Sequence, residues 1–301
     1  MAKKSGGGSK KSKKKASKRS GKVALTAKTA DRHALYQAAV QNVEAEIDFV
    51  DKTYRKLRGK KARLLREDFC GTGNTSCEWV RRRKDNEAVG LDIDLETLEW
   101  GREHCVGSLS EEDRGRVSLV KRDVLAPGDA VGMDAILAMN FSYWLFQTRE
   151  EMVRYFKSVR EGLADDGVFF QDFYGGSEAG TETEERRKCT LPKEQGGGSY
   201  TYVWDQNTFN PITGEMFCRI HFEFRDKTRM TDAFTYTWRL WTLPELRELL
   251  AEAGFSSTTV YWEGDELDED GEPTGEGNGV FKPTMKGTAD PAFICYVVSE
   301  K

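Results

Sequence analysis

The sequence has few residues of the types that build disulfide frameworks and metal centres. Its 301 residues include six cysteines, with no Cys-x-x-Cys pair, and three histidines that lie far apart in the chain. In a chain of this length, scattered cysteines indicate reduced intracellular thiols and argue against a disulfide framework or a zinc site. The separation of the histidines also argues against a metal centre, so we expect none.

Long apolar runs are also missing. No stretch approaches the roughly 20 apolar residues that a membrane-spanning helix requires. No hydrophobic region follows the basic N-terminal stretch, which therefore does not have the pattern of a secretory signal peptide. These two absences predict a cytoplasmic protein without a membrane span.

Residues 1–22 contain no acid. They hold ten Lys or Arg and otherwise mostly Gly, Ser and Ala, so they cannot bury a core and are predicted to form a disordered tail. The tail is either a solubilising segment, a nuclear-localisation signal read by an import receptor, or an arm for nucleic acid or anionic lipid. Removing its ten positive charges takes the formal net charge from −4 to −14. An acidic body disfavours a polynucleotide substrate, because phosphate contacts dominate such binding.

A glycine turn lies at the centre of the sequence pattern. An apolar run at residues 62–65 leads into Glu67 and Asp68, then into a turn with Gly71 and Gly73, and then into a segment with helical spacing. This order predicts a strand, a tight turn and a helix. Glycines let a backbone approach a ligand, and a helix N-terminus offers unpaired N–H groups. An ordinary tight turn would give the same local pattern.

Four apolar runs in this region each end in a polar residue. The end residues are Glu67, Asp92, Asp123 and Asn140, and Asp92 lies 21 residues after Gly71. The carboxyl ends of parallel strands meet along one rim of a sheet, which is where open α/β sheets bind ligands. An acid at the end of the second strand can accept hydrogen bonds from both hydroxyls of a ribose.

The alternation of strands and helices stops at Gly175. We predict a mobile connection over residues 175–199 and an antiparallel meander over residues 200–241, which hold 11 of the 33 aromatic residues. In the meander, even-numbered aromatics alternate with odd-numbered polar residues. The even face is expected to pack on the main sheet. The odd face, with Arg219, His221 and Arg239, is a candidate to meet substrate.

The predicted fold is α/β, a Rossmann-like doubly wound and mostly parallel seven-stranded sheet with an inserted antiparallel β cap. Residues 23–301 would form one domain, with residues 175–241 as its inserted linker and cap. The first helical pattern covers residues 31–58 with Asp31 as N-cap. This segment is either an amphipathic helix that packs on the sheet or a lid over the ligand site, with Tyr36 and Gln41 as lid residues.

The last two predicted strands flank an acidic segment. Residues 263–276 carry eight acids, and their spacing fits part of a calcium-binding EF-hand pattern. The last position of that pattern falls on Gly277, so the bidentate Glu is missing. We therefore expect a solvated loop.

The order of these pieces resembles the class I S-adenosylmethionine-dependent methyltransferases. The resemblance covers roughly residues 60–172 and, more weakly, residues 241–298. It is carried by Cys-Gly-Thr-Gly at residues 70–73, Gly-Leu-Asp-Ile at residues 90–93 and Arg-Asp-Val at residues 122–124. Residues 66–72 also look like the Arg-Glu-Asp-Phe-Cys-Gly-Thr signature of one subset of the family.

This resemblance implies that S-adenosyl-L-methionine is the cofactor. Glu67 and the glycine turn would hold its methionine part, Asp92 its ribose, and Ile93 and Asp123 would lie at its adenine. The full set of implied cofactor-binding residues is Glu67, Cys70, Gly71, Gly73, Asp92, Ile93, Asp123, Val124 and Asn140. The chain departs from the family at Phe69, where the first motif usually has glycine, and at Asp68, an additional acid whose role the motif does not define.

Methyl transfer from a sulfonium needs an aligned nucleophile, and a general base only if that nucleophile is protonated. The residues after the fourth and fifth strands would lie nearest the methyl group. Among them Asn140, Tyr143 and Tyr174 are the catalytic candidates. The substrate-binding candidates are Tyr36, Trp144, Trp204, Arg239 and Trp241. Alternatively, Trp144 belongs to the core and Asn140 is a turn residue.

The sequence thus predicts a methyltransferase that acts on a small molecule by in-line transfer. One alternative keeps the cofactor and makes the substrate a protein or RNA recruited by the basic tail. Another is a nicotinamide-dependent oxidoreductase, which is disfavoured because the third glycine of Gly-x-Gly-x-x-Gly is missing after Gly73. A binding module without catalysis is the last alternative.

Overall fold

The computed structural model describes residues 24–301, apart from the side chains of residues 275 and 276. The predicted tail at residues 1–22 lies outside the described residues. The described helices are α1 Arg32–Val40, α2 Val43–Arg58, α3 Asn74–Arg82, α4 Leu95–His104, α5 Glu111–Arg114, α6 Arg149–Gly162 and α7 Leu243–Glu252. None of the helices in residues 24–301 has both the length and the apolar character needed to cross a membrane.

The strands form two sheets. The main-sheet strands are β1 Leu64–Asp68, β2 Glu87–Asp92, β3 Val117–Lys121, β4 Met133–Ala138, β5 Leu163–Gly175, β10 Ser257–Leu267, β11 Pro273–Thr284 and β12 Phe293–Glu300. The strands of the second sheet are β6 Thr183–Leu191, β7 Gly198–Phe209, β8 Glu215–Phe224 and β9 Arg229–Arg239.

The main sheet has the strand order β11-β10-β12-β5-β4-β1-β2-β3. The five strands from β5 to β3 are parallel, and the three at the other edge are antiparallel. Helices cover both faces of the parallel part, which places the carboxyl ends of these strands along one rim. The predicted Rossmann-like α/β fold is confirmed.

The main sheet has one strand more than predicted. The acidic segment at residues 263–276 was expected to be a loop, but it contains the end of β10 and the start of β11, whose backbones pair. Glu263 lies opposite Phe281, and Asp265 lies opposite Gly277. The two strands extend beyond the body of the sheet, so their carboxylates stay in water while the backbone bonds form. The expectation was wrong because a high density of acidic side chains does not prevent the backbones of two strands from pairing when those side chains stay in water.

The second sheet, which we call the cap sheet, is antiparallel with the order β6-β7-β8-β9. The connection predicted for residues 175–199 contains β6, which pairs with β7 along its whole length. Strand β6 is an exposed edge strand with charged residues on both faces, so it has no hydrophobic alternation to reveal it. Its acids pair instead with arginines on neighbouring positions, as Glu184 does with Arg186 and Arg229.

The helical pattern predicted over residues 31–58 divides into two helices at Gln41 and Asn42. Asp31 caps α1 as predicted, since its Oδ1 accepts hydrogen bonds from the backbone N–H groups of His33 and Ala34. Helix α2 packs on the main sheet, whereas α1 packs on the cap sheet. Leu35 of α1 is fully buried in this contact, and burial of such a side chain stabilises the fold by about 1.5–3 kcal/mol.

Candidate active site

The glycine turn joins β1 to α3 and needs left-handed backbone at three positions. Phe69, Gly71 and Gly73 have φ angles of 56°, 52° and 68°. Gly73 is the N-cap of α3, and a Cβ atom there would lie 2.4 Å from Cδ2 of Leu119. Glycine is therefore required at residue 73 both by conformation and by space. The turn brings the backbone of residues 70–72 to the rim of the sheet.

Asp92 at the end of β2 faces this turn. Its Oδ2 accepts a hydrogen bond from the Gly71 N–H at 2.8 Å, and its Oδ1 accepts one from the Asp94 N–H at 2.9 Å. These two bonds fix the carboxylate beside the turn, and an ionised carboxylate can accept about four hydrogen bonds. Asp92 therefore retains acceptor capacity for a ligand.

Glu67 is the second acid beside the turn. Its Oε2 accepts hydrogen bonds from the backbone N–H and the hydroxyl of Ser76, at 2.8 and 2.6 Å. The side chain is buried, and burial raises the pKa of Glu67 to about 7, although the Ser76 bonds oppose this shift. A buried carboxylate with spare acceptor capacity favours a cationic partner.

Asp68 points to the opposite face of β1 and makes a buried ion pair. Its Oδ1 lies 2.8 Å from Nε of Arg66, and its Oδ2 accepts hydrogen bonds from Nη2 of Arg66 and the hydroxyl of Tyr155, both at 3.0 Å. Arg66 and Asp68 are 0% and 1% exposed. The additional acid of the first motif thus has a structural partner.

A cleft of about 260 Å³ lies between the turn, α1 and the cap sheet. Its lining includes the acidic residues Glu67, Asp92 and Asp94, and also Asp68, whose carboxylate is turned toward Arg66. The described lining of this cofactor cleft, as we call it, includes no lysine or arginine. Its other lining residues are His33, Tyr36, Gln41, Phe69, Cys70, Gly71, Thr72, Thr97, Met139, Asn140, Ser142, Phe234 and Tyr236.

Helix α1 closes the cofactor cleft through hydrogen bonds to the elements around the turn. The Gln37 side chain donates to Oγ1 of Thr72 at 2.8 Å, and the Asn74 side chain donates to Oε1 of Gln41 at 3.0 Å. At the other end of the helix, the N-cap Asp31 accepts from the indole N–H of Trp100 at 2.7 Å. Tyr36 of α1 and the adjoining Gln41 line the cleft, whereas α2 packs on the main sheet; the lid role of α1 stays a prediction.

A second cavity, of about 220 Å³, adjoins the cofactor cleft and shares Tyr36, Asn140 and Tyr236 with it. We call it the aromatic cavity, because eight of its lining residues are aromatic. The described lining consists of Tyr36, Val40, Asn140, Phe141, Trp144, Tyr174, Glu185, Tyr202, Trp204, Met216, Ile220, Tyr236, Trp238 and Ala292.

Asp172 of β5 holds the loop that separates the two cavities. Its carboxylate accepts hydrogen bonds from the backbone N–H groups of Asn140 and Phe141, at 2.7 and 3.0 Å. Both residues have left-handed backbone, with φ of 57° and 56°, which is uncommon for residues other than glycine. Burial raises the pKa of Asp172 to about 7. The rim after β4 is thus a strained turn secured by a buried acid, a combination typical of functional sites.

The structure brings most of the predicted cofactor residues together. Glu67, Cys70, Gly71, Asp92 and Asn140 line the cofactor cleft, and Gly73 shapes the turn. Ile93 lies between two lining acids with its side chain 69% exposed.

Two other predicted cofactor residues lie elsewhere. Asp123 is exposed and outside the described lining, because its Oδ1 accepts from the Leu125 N–H in a turn that leads away from β3. Val124 must be corrected to a core residue, since it is 4% exposed in the cluster beneath α6.

Some of the catalytic and substrate candidates line a cavity and others do not. Tyr36, Tyr174, Trp144 and Trp204 line the aromatic cavity. Tyr143 does not, because it is fully buried and its hydroxyl donates to the backbone carbonyl of Asp172 at 2.6 Å. Its predicted catalytic role must therefore be corrected to a core position.

Arg239 and Trp241 also have structural contacts instead of cavity positions. The Trp241 N–H donates to the carbonyl of Phe146 at 3.2 Å, and the Arg239 guanidinium stacks 3.7 Å from the centre of the Trp241 ring and pairs with Glu245. Both residues join the end of the cap sheet to α7. Neither belongs to the described lining of either cavity, which corrects their assignment to the substrate.

The sequence offered the odd face of the cap sheet, or the strand ends at Trp204 and Trp241, as the part that meets substrate, and this stays a prediction. The even face, which holds Tyr236 and Trp238, both packs on the main sheet and lines the aromatic cavity. On the odd face, Arg219 pairs with Asp205 at 2.7 Å. Three residues that line the cofactor cleft were not predicted from the sequence: His33, Phe234 and Tyr236. For the two aromatic residues of the cap sheet, the only signal was the high aromatic content of residues 200–241.

One cluster on the odd face has the residue types of a metal site. The ligand atoms of Glu184, Asp205 and His221 lie within 4.8 Å of one another. However, Nδ1 of His221 accepts from the Asp232 N–H at 2.8 Å, so the neutral ring carries its proton on Nε2, toward Asp205. Arginines pair with both carboxylates. The cluster is therefore an ion-pair network.

Comparisons with known proteins agree with this geometry. No protein-family model and no curated protein matches the chain. Among solved structures, an S-adenosylmethionine-dependent methyltransferase from Clostridium acetobutylicum superimposes with a TM-score of 0.62 and 14% identity over 89% of this chain and 96% of that one. The chain has the fold of these methyltransferases.

Two other structures with the methyltransferase fold superimpose over nearly their whole length. One is the amino pentose methyltransferase CalS10 of Micromonospora echinaspora, with a TM-score of 0.62 and 16% identity over 89% of this chain and 95% of that one. The other is the sugar N-methyltransferase KedS8 of a Streptoalloteichus species, with a TM-score of 0.59 and 15% identity over 98% of this chain and 99% of that one.

Proposed function

We propose that the protein is an S-adenosylmethionine-dependent methyltransferase that acts on a small molecule. The observation that supports this most is the acidic cofactor cleft at the glycine turn, which adjoins the aromatic cavity. The similarity to structures described as sugar and amino pentose methyltransferases agrees with it. In this proposal residues 23–301 form the catalytic domain, and residues 175–241 include its cap.

The residues of the cofactor cleft fit S-adenosylmethionine. Glu67 would accept hydrogen bonds from the ammonium group, Asp92 would accept them from the ribose hydroxyls, and the Gly71 turn would follow the methionine part. When bound, the cofactor supplies a methyl group on a positively charged sulfur, which makes that carbon electrophilic. The protein contributes alignment of the acceptor and exclusion of water by α1 and the cap sheet.

Charge distinguishes this ligand from a dinucleotide. Glu67, Asp92 and Asp94 line the cleft as acids without a cationic partner in the lining, Asp68 is paired with Arg66, and the described lining has no lysine or arginine to balance a pyrophosphate. A ligand with a sulfonium and an ammonium gains from this field, whereas a pyrophosphate would be repelled by Glu67 and Asp92. The nicotinamide-dependent alternative is therefore disfavoured by electrostatics as well as by the missing third glycine.

The size of the aromatic cavity supports a small acceptor. Its 220 Å³ correspond to about seven water molecules at ~30 Å³ each. Helix α1 and the cap sheet cover it, so a large partner could insert only a single side chain or base. The alternative of a macromolecule recruited by the basic tail depends on residues outside the described part of the chain.

The test is calorimetric titration of the protein with S-adenosylmethionine. Asp92→Asn is expected to weaken binding about 10- to 100-fold, since a hydrogen bond to a charged group contributes about 1.5–3 kcal/mol. Asp85→Asn is the matched control, because Asp85 is exposed and lies before the start of β2, at the opposite end of that strand. Wild-type protein that binds no cofactor, or equal affinities for the two variants, would refute the proposal.

A further inference from the structure

The aromatic cavity has a lining of unusual chemistry for a methyl acceptor site. Eight aromatic rings surround it, and Glu185 is its one carboxylate. Among the described lining residues there is no lysine, arginine, histidine or cysteine. Glu185 is exposed at the edge of the cavity, and its charge adds to the effect of burial, the main cause, in raising the pKa of Tyr174 and Tyr202. No ion pair joins Glu185 to another residue in the described part of the chain.

Apart from Glu185 at its exposed edge, the described lining has no group that could act as a general base. Burial raises the pKa of Tyr36 and Tyr174 to about 12 and raises that of Tyr236 well above its usual value, so the phenols are neutral at pH 7. Asp172 lies behind the backbone of the loop, with its oxygens bonded to the Asn140 and Phe141 N–H groups. A hydroxyl or thiol acceptor must lose a proton to become a good nucleophile, but a neutral amine already has a free lone pair.

The aromatic rings of the cavity also favour an amine as the acceptor. Aromatic faces carry negative electrostatic potential and attract cations, and they repel carboxylates. The ring centres of Tyr236 and Trp238 are 4.6 Å apart and those of Trp204 and Trp238 are 6.0 Å apart, so the rings form a continuous surface. Glu185 adds a negative charge at the edge. The field of the cavity is therefore suited to a positive charge.

From these observations, and resting on the proposed function, we infer that the acceptor is a small amine whose nitrogen lies in the aromatic cavity. The nitrogen lone pair forms a bond to the methyl carbon while the carbon–sulfur bond breaks and its electron pair stays on sulfur. The positive charge thus moves from sulfur to nitrogen, and no proton moves in this step.

The ring surface acts during the reaction itself. The reacting form of the amine is the neutral one, which has released its proton to water before the transfer step, and its positive charge develops again only as the new bond forms. Interactions that strengthen in the transition state accelerate the chemical step, whereas equal binding of substrate and transition state does not. The rings and Glu185 thereby stabilise the charge where it appears. After transfer they hold a methylated ammonium product.

The test compares binding of choline with that of 3,3-dimethyl-1-butanol, in which carbon replaces the charged nitrogen. Both are titrated into protein saturated with S-adenosylhomocysteine, which mimics the product complex. Choline is expected to bind at least tenfold more tightly than the alcohol. Glu185→Gln should weaken choline binding about three- to tenfold and leave binding of the alcohol unchanged. Glu184→Gln is the control, because Glu184 lies on the same strand but pairs with Arg186 and Arg229.

Transfer of a labelled methyl group gives a second measurement. Piperidine, cyclohexanol and cyclohexanethiol have similar shapes and differ in the acceptor atom, and only piperidine is expected to be methylated. Equal binding of choline and the alcohol, or methylation of cyclohexanol or the thiol without piperidine, would overturn the inference while cofactor binding stands. Failure of S-adenosylhomocysteine and S-adenosylmethionine to bind would instead overturn the proposed function.

Discussion

The buried pair of Arg66 and Asp68 gives a prediction that can be worked out in detail. Asp68→Asn removes a negative charge that lies within 2.8–3.0 Å of a guanidinium with no exposed surface. Breaking a buried pair by removing one partner costs about 3–5 kcal/mol, because the other charge is left without compensation. That is a large part of the 5–15 kcal/mol that typically stabilises a folded protein.

The assay is urea unfolding followed by circular dichroism. The free energy of unfolding should fall by about 3–5 kcal/mol in Asp68→Asn and by less than about 1 kcal/mol in Asp85→Asn, which breaks only an exposed pair. The double variant Arg66→Met, Asp68→Asn should recover at least half of the loss, because it removes the uncompensated charge. The amide at residue 68 could still accept the hydrogen bond from Tyr155.

The reasoning would be refuted if Asp68→Asn and Asp85→Asn lowered stability equally. It would also be refuted if the double variant were less stable than Asp68→Asn. In either case an uncompensated buried charge would not explain the loss of stability.

Two further predictions concern the glycine turn and the acid behind it. Gly73→Ala should lower the free energy of unfolding by about 2–4 kcal/mol, measured by urea titration, because it adds left-handed strain and a clash with Leu119; a loss below 1 kcal/mol would contradict this. Because the pKa of Glu67 is about 7, its carboxylate is protonated below that pH, so affinity for S-adenosylmethionine should rise as the pH increases from 5.5 to 7.5, by up to tenfold per unit. Calorimetry of Glu67→Gln should show weak binding without this slope, and a retained slope would assign the titration to another group such as Asp172.

The sequence was informative where function depends on local pattern. The rim acids Glu67 and Asp92 were predictable because each ends a buried strand, and parallel strands must end at one rim. The glycine turn was predictable because Gly71 and Gly73 supply backbone angles that other residues rarely adopt. These features follow from the chain within about 25 residues of the turn.

The sequence was less informative where long-range packing decides the contacts. Tyr143 and Trp144 are neighbours in one short turn, yet only Trp144 reaches the aromatic cavity. Val124 follows a rim strand but turns into the core. Strand β6 pairs by its backbone and leaves its charged side chains in water, so no period of hydrophobicity marks it. In each case the outcome depends on contacts with other elements of the fold and not on the local sequence pattern.

Helix α1 has a consequence for the order of events in a catalytic cycle. Tyr36 of α1 lines both the cofactor cleft and the aromatic cavity. Hydrogen bonds from Gln37 to Thr72 and from Asn74 to Gln41, which caps α1, join this segment to the glycine turn. A movement of α1 that opens the cofactor cleft to one ligand therefore opens the aromatic cavity at the same time. We expect both reactants to enter when α1 moves, so that the release of both products is limited by the rate of this one movement.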